Sequence, residues 1–351
     1  MTELGIYTRY SADGASSRLR YLVYAEMLAG RGIAAHVHTL FRTDYLRALY
    51  SGRCTRFKAL RDLGRRMFEM PPREKALWIE YELLPGVPFA VERRLIGGRK
   101  YVLDFDDAVF VKYAKHPLLR DKFERLAAGA AGVITANAAL YDHFSKFNAN
   151  VVKIPTAVDT AALCPTGAKF PRLTLVWIGT PVTCAAHLAP AAATLRKIRE
   201  TLDFDLLVIG GTPSPELDFP GVKVVPWSAA AESALLPKCH IGIMPLPAGD
   251  AFAAGKSAYK LIQYLAAGLP AVASPVGENR VVLKDGVTGL FASSPEEWHA
   301  ALKKLAGDAA LRSTMGENAR NEARKYSREQ IFPELTEFLE HSLGLSPERP
   351  A

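Results

Sequence analysis

The tripeptide Gly255-Lys256-Ser257, followed by Lys260, is the stretch of this sequence best suited to holding an anion. A Walker A loop needs a glycine where this chain has Asp250, and Gly249 misses the place by one residue, so the strict nucleotide motif fails. The surrounding pattern still favours a phosphate. CHIGIMPLP (239–247) reads as a buried strand closed by prolines, PAGDAFAAG as a loop, and SAYKLIQYLAAG as a helix opening at Ser257 and ending at Gly268. Backbone N–H groups and the dipole at such a helix start attract anions. Lys256 and Lys260, one turn apart, can share a face. Two solvated lysines on a surface helix fit the same residues equally well.

A second cluster is acidic. YVLDFDDAVF carries Asp106 and Asp107 at the end of a predicted strand, where paired carboxylates can orient a hydroxyl or take its proton. Asp104 and Asp106 also suit a magnesium ion beside diphosphate oxygens, and capping or pairing with Lys112 and Lys115 is the bland alternative. Gly14, in the loop ADGASS, lets backbone approach a phosphate or merely makes a turn. Arg18 and Arg20 follow at a helix start, where a cation opposes the dipole unless an anion is close.

The elements that must position these residues alternate strand and helix. LGIYTRYS, the helix RLRYLVYAEMLAGRG and IAAHVHTL open the chain as a β-loop-α-β unit; further strands are predicted at ALWIEYEL, KYVLDFDD, GVITAN and VVKIPT. CPTGAKFPR interrupts the series as a linker. A second series then runs through LTLVWIG, DLLVIGG, VKVVPW, IGIMPLP and LPAVASP. The predicted fold is α/β, two Rossmann-like doubly wound domains facing a central cleft. Residues 1–163 form the first domain, 164–171 the linker and 172–326 the second. A C-terminal helix over 327–351 returns to the first domain.

Charge is unevenly divided. Residues 1–163 hold 25 Lys and Arg against 17 Asp and Glu, whereas the remainder holds 19 of each, so the whole net charge of +8 lies in the first half. It concentrates in Arg47–Lys75, where basic residues interleaved with Leu, Phe and Met suggest an amphipathic helix on an anionic membrane surface. Nucleic acid is not expected as a partner, because no stacking aromatics or binding module accompany the charge. No apolar run is long enough to span a bilayer, and the start lacks a signal-peptide pattern. Four scattered cysteines without zinc spacing read as reduced thiols, and a cytoplasmic location is expected.

These motifs resemble a known group. KLIQYLAAGLPAVASPVGENRVVLKDGVTGLF resembles the C-terminal signature of bacterial glycosyltransferases of family four (glycosyl transferases group 1), which have the GT-B fold. WIGTPVT and VVPWS, with RYSADGASSRLR and YVLDFDDAVF, resemble segments of a subgroup with a GK-x-x-YKLLQY donor helix. The resemblance implies a metal-independent, retaining hexosyltransferase-type enzyme of polysaccharide or glycolipid biosynthesis, moving a sugar from a nucleotide-diphosphate donor, UDP- or GDP-linked, to a lipid-linked or saccharide acceptor. No cofactor or metal is implied, and a peripheral place on the inner membrane face is. The donor would be held by Gly14, Gly179, Trp227, Lys256, Ser257, Ala258, Tyr259 and Gln263; Lys260, Asp106 and Asp107 would act in catalysis. The family commonly carries two glutamates where this chain has Gly255 and Gln263. Gln263 retains hydrogen-bonding capacity for a ribose hydroxyl, while Gly255 has no side chain to offer the sugar. A nucleotide-sugar-binding non-catalytic subunit, or an epimerase on the same fold, are the alternative readings.

Overall fold

The computed structural model describes residues 2–70, 72–165 and 167–345. Contacts divide the chain into two compact units: Met1–Ala157 with Gly255–Ser257 and Glu329–Ala351, and Val158–Ala254 with Ala258–Arg328. The last six residues of the helix expected over 327–351, and Thr166 in the expected linker, lie outside the described residues.

The first unit holds six parallel strands: β1 (Thr2–Tyr10), β2 (Ile33–Phe41), β3 (Ala76–Glu80), β4 (Lys100–Phe105), β5 (Gly132–Thr135) and β6 (Val151–Lys153). Their order is β2-β1-β3-β4-β5-β6. Strand β3, ALWIE, is buried along its whole length, as expected of a parallel strand covered on both faces. Its alternate side chains serve two cores. Leu77 and Ile79 pack with Leu103, Phe105 and Val133. Trp78 packs with Leu4, Ile6 and Val102 under Ile331, Leu335, Leu339 and Leu343 of the helix Arg328–Leu343.

The second unit repeats the plan with β7 (Thr174–Ile178), β8 (Asp205–Ile209), β9 (Val222–Val225), β10 (Ile241–Met244), β11 (Ala271–Ala273) and β12 (Gly289–Phe291). The parallel order is β12-β11-β10-β7-β8-β9. Val176 and Ile178 pack on one face with Leu261, Ile262 and Leu265. Leu175 and Trp177 pack on the other with Leu195, Ile198 and Leu302. In such sheets ligands collect outside the strand C-termini where the strand order reverses. Those points fall between β1 and β3 in one unit and between β7 and β10 in the other.

Four local expectations need correction. The helix expected to open at Ser257 spans Tyr259–Ala266, because Ala258 takes a left-handed φ of 54° and turns the chain just before it. Lys256 therefore lies outside the helix, and the one-turn spacing to Lys260 does not hold. Part of PAGDAFAAG forms a short helical turn, Ala251–Ala254. The basic region forms two helices, Thr43–Tyr50 and Arg56–Phe68, separated by a turn in which Gly52 has φ 66°. Finally, the second strand series, expected to end at LPAVASP, continues to GLF at 289–291, which adds edge strand β12.

Candidate functional site

In the second unit, the C-terminal ends of β7, β8 and β9 meet the helix Tyr259–Ala266 through a continuous series of contacts. Gly179 follows β7, and its N–H donates to Ile209 O at 3.0 Å. Gly210 follows β8 with φ 80°, a conformation that suits glycine. A Cβ on Gly210 would run into the Gly179 carbonyl and stand 2.8 Å from Trp227 Cβ, and one on Gly179 would stand 2.5 Å from the Trp177 ring. Small residues are thus required where strand ends and two indoles converge. Lys260 Nζ lies 5.1 Å from the centroid of the buried Trp177 ring, a cation–π distance. Trp227 Nε1 donates to Glu232 Oε2 at 2.8 Å, and Gln263 Nε2 donates to Glu232 Oε1 at 2.6 Å. Gln263 and Lys260 are three residues apart on one helix, so the circuit closes.

The helix is fixed to the sheet by Tyr264, whose hydroxyl donates to Ile243 O at 3.1 Å and accepts from Ile178 N at 3.3 Å. Gly242 on β10 leaves room for that ring. Burial pushes the Tyr264 phenol well above its usual range, so it stays a neutral structural donor. Nearby, burial raises the Cys184 thiol, opposed by a backbone hydrogen bond and by the charge of Lys260. All four cysteines are free.

The first unit gathers a denser set of charges. Glu80, at the end of β3, accepts from Ser16 Oγ at 2.7 Å, Ser17 Oγ at 2.5 Å and Arg9 N at 2.7 Å, tying the 14–17 segment to the sheet at the point where strand order reverses. Gly14 itself sits at the start of the helical turn Ala15–Ser17 with φ −84°; it is confined by the Tyr10 side chain and needs no left-handed backbone. Arg20 is not aimed at a phosphate. Its guanidinium is buried against Asp104 Oδ1 at 2.6 Å and also donates to Ile154 O and Thr156 Oγ1. Trp78 Nε1 donates to the other Asp104 oxygen at 3.3 Å. Asp104 is accordingly committed to this buried network and does not join Asp106 as a ligand pair.

Asp106 accepts a hydrogen bond from the Tyr81 hydroxyl. Tyr81 has φ 60°, an unusual conformation for a bulky residue and a sign of local strain. Asp107 lies 3.9 Å from Lys256 Nζ. The Gly255–Ser257 segment belongs to this unit by contact, and Asn137 Nδ2 donates to Gly255 O at 2.8 Å. Burial lowers the Lys112 ammonium, and the charges of Arg9 and Lys256 press in the same direction while Asp107 opposes them. Lys112 and Lys256 thus lie near Asp107, with Arg9 beside Lys112 and paired with Glu82.

Of the sequence-derived candidates, Gly179, Trp227, Lys260 and Gln263 converge in the second unit, where Ala258 and Tyr259 begin the helix. Asp106, Asp107, Lys256, Ser257 and Gly14 fall in the first. Sequence reasoning missed Glu80, Tyr81 and Glu232. AAAESALL gives no signal that its glutamate, on the helix Ala229–Leu235, binds two site residues.

Comparison with known proteins bears on the family and the fold. Residues 172–308 match the family model described as glycosyl transferases group 1. A D-inositol 3-phosphate glycosyltransferase from Corynebacterium kroppenstedtii is 30% identical over 88 residues, 24% of this chain, and the match spans only 20% of that relative. Sucrose-phosphate synthase from Thermosynechococcus elongatus superposes over 99% of this chain and 100% of its own, with a TM-score of 0.69 at 12% identity. A glycosyltransferase from Rickettsia africae covers 98% of this chain and 100% of its own, with a TM-score of 0.68 at 13% identity. HepE from Anabaena, solved in complex with UDP, covers 97% and 100%, with a TM-score of 0.64 at 13% identity. The second sheet and its helices thus match the glycosyl transferases group 1, and the chain as a whole has the GT-B-like α/β fold that these solved structures share.

Proposed function

We propose that the chain is a retaining glycosyltransferase that takes a sugar from a nucleotide-diphosphate donor, with UDP or GDP as the leaving nucleotide. The observation that carries this reading is the closed circuit of Gly179, Gly210, Trp227, Glu232, Gln263, Lys260 and Trp177 at the C-terminal edge of the second sheet. It offers what a nucleotide donor needs: glycines that let backbone come close, a fixed indole face, hydrogen-bonding groups for sugar hydroxyls and a cation. Lys260 would offset the charge that gathers on the departing diphosphate, a role for which a preorganised ammonium is well suited. HepE, which shares the fold, has been solved with UDP, and another structure with UDP and glucose. Lys256, among the cations of the first unit, is a second candidate for the diphosphate, with Ser257 beside it. Asp106 and Asp107 are proposed to orient the acceptor hydroxyl, Asp106 through the position that Tyr81 fixes.

The acceptor is proposed to be lipid-linked or membrane-associated, as in surface polysaccharide or glycolipid assembly. Support comes from the helix Arg56–Phe68, which is turned inside out. It buries Asp62 and Arg66 at 0% and 1% exposure while Phe57 and Phe68 stand 84% and 94% exposed, with Leu60 and Met67 between them. Exposed Arg53, Arg56 and Arg61 flank these residues. An apolar stripe rimmed by arginines fits an anionic lipid surface.

Calorimetric titration with UDP, GDP, dTDP and ATP, repeated on Lys260→Ala, tests the donor reading. One diphosphate should bind, and the variant should bind it about tenfold or more weakly, as loss of a charge-assisted contact requires. Binding of ATP alone, or of none of the four, would remove the basis for the assignment. Nucleotide release that depends on added acceptor separates a transferase from a non-catalytic binder or an epimerase.

A further inference from the structure

We infer that Glu232 is a positioning residue of the donor site: it locks the Gln263 amide so that its carbonyl oxygen is presented to a ligand hydroxyl, and it locks the Trp227 indole beside it. The inference rests on the donor-site reading above and adds a specificity device to it.

Donors and acceptors fix the orientation of these three side chains. An ionised carboxylate only accepts hydrogen bonds, an indole N–H only donates, and an amide does both from opposite corners. Glu232 Oε2 takes the Trp227 N–H at 2.8 Å, and Glu232 Oε1 lies 2.6 Å from the nitrogen of Gln263. With a carboxylate as neighbour, Gln263 can turn only its NH2 group that way, so its Oε1 must face elsewhere as an acceptor. A free glutamine can rotate its amide to suit either a donor or an acceptor; this one cannot. Gln263 is 5% exposed and shares its helix face with Lys260, three residues away, beside the strand ends at Gly179 and Gly210. The group that completes such an acceptor is a hydroxyl, and a nucleotide-sugar carries hydroxyls on both its ribose and its transferred sugar.

The substitution Glu232→Gln creates a conflict that can be read. The oxygen of the introduced amide must then serve either Trp227 or Gln263. If it accepts from Trp227, the new NH2 turns toward Gln263 and flips that amide, presenting a donor to the ligand. If it accepts from Gln263, the new NH2 meets the indole N–H, and Trp227 loses its anchor. The reversed pair, Glu232→Gln with Gln263→Glu, has no such conflict. The introduced amide accepts from Trp227 and donates to the introduced carboxylate, whose other oxygen again faces the ligand as an acceptor.

The test is calorimetry on folded full-length protein with UDP, GDP, their 2′-deoxy analogues and UDP-glucose. Glu232→Gln should weaken the ribonucleotide or the nucleotide-sugar about tenfold, the value of one well-placed hydrogen bond, and the reversed pair should regain most of it. If the ribose is the partner, the preference of wild type for ribo over 2′-deoxy nucleotide narrows in Glu232→Gln; if the transferred sugar is, the loss appears with UDP-glucose and not with UDP. Should Glu232→Gln fail to fold, the reversed pair, which satisfies both donors, still has to keep most of the wild-type affinity. Unchanged affinity in Glu232→Gln, or no recovery in the reversed pair, overturns the inference. Wild type that binds no nucleoside diphosphate overturns the donor-site reading itself, and that result is seen before any variant is made.

Discussion

Glu80 offers a stability prediction with a defined sign and window. Burial pushes its carboxyl from an ordinary 4.5 up to about 7; the hydrogen bonds from Ser17 and Ser16 oppose that shift, and the charge of Asp106 adds to it. Between those two values the folded chain keeps a proton that the unfolded chain has released. Stability linked to Glu80 is therefore fully present below pH 4.5 and is lost as pH rises through 7. The shift corresponds to about 3 kcal/mol at pH 8. Glu80→Gln removes this dependence while keeping the contacts of the protonated acid. The amide oxygen can accept from Ser17 Oγ and Arg9 N as Oε2 does now, and the NH2 can donate to Ser16, whose hydroxyl is free to rotate. The variant should match wild type near pH 5 and exceed it by up to about 3 kcal/mol at pH 8, a rise of roughly 5 to 10 °C in the melting of the first unit. Asp104 also carries a raised pKa, about 6, because burial outweighs its pairing with Arg20. That contribution is common to both proteins and cancels in their difference. Thermal unfolding of the pair in steps from pH 5 to 8 is the assay. A difference that stays constant across this range would refute the reasoning, since it would mean that Glu80 ionises at the same pH folded and unfolded.

Three further outcomes are expected. Lys122→Met should destabilise the first unit by about 3–5 kcal/mol in denaturant unfolding; it leaves Glu82 and Glu92, each 2.7 Å from the ammonium and fully buried, without their shared cation. Gly210→Ala should cost at least about 2 kcal/mol and weaken nucleotide binding, because alanine meets both a φ of 80° and the Gly179 carbonyl. Phe57→Ser with Phe68→Ser should reduce retention on phosphatidylserine vesicles roughly a hundredfold, from two buried rings. The unfolding midpoint should be unaltered, since both rings are exposed.

The strands were legible because parallel strands buried on both faces are uninterrupted apolar runs, and TLVWI and DLLVI could scarcely be anything else. Other features depend on partners remote in sequence. Arg20 looked like a phosphate ligand until Asp104, 84 residues away, claimed it. Ser257 is a good N-cap residue by type, yet the turn at Ala258 moves the helix start beyond it, and no local pattern announces a left-handed alanine. In Arg56–Phe68 the amphipathic period was plain, but period alone does not say which face is buried. Asp62 and Arg66 go inward because acceptors and donors await them there: Arg66 reaches Thr8 O and His38 O, and Asp62 accepts from Arg42 N and Arg61.

The two departures from the family pattern have separate physical explanations, and their difference bears on activity. At Gly255 the constraint is space. A Cβ there would stand 2.5 Å from Ala108 Cβ, so the chain path itself excludes a side chain, and restoring a glutamate would displace the 107–108 turn that holds Asp107 near Lys256. At Gln263 the constraint is charge. A glutamate there would set a second carboxylate against Glu232 at hydrogen-bond distance, which like charges at that range oppose. Gln263 with Glu232 keeps one negative charge and one outward acceptor, the inventory a lone glutamate would supply. That inventory serves donor binding in a transferase and in a non-catalytic binder alike, and acceptor-dependent nucleotide release decides between them.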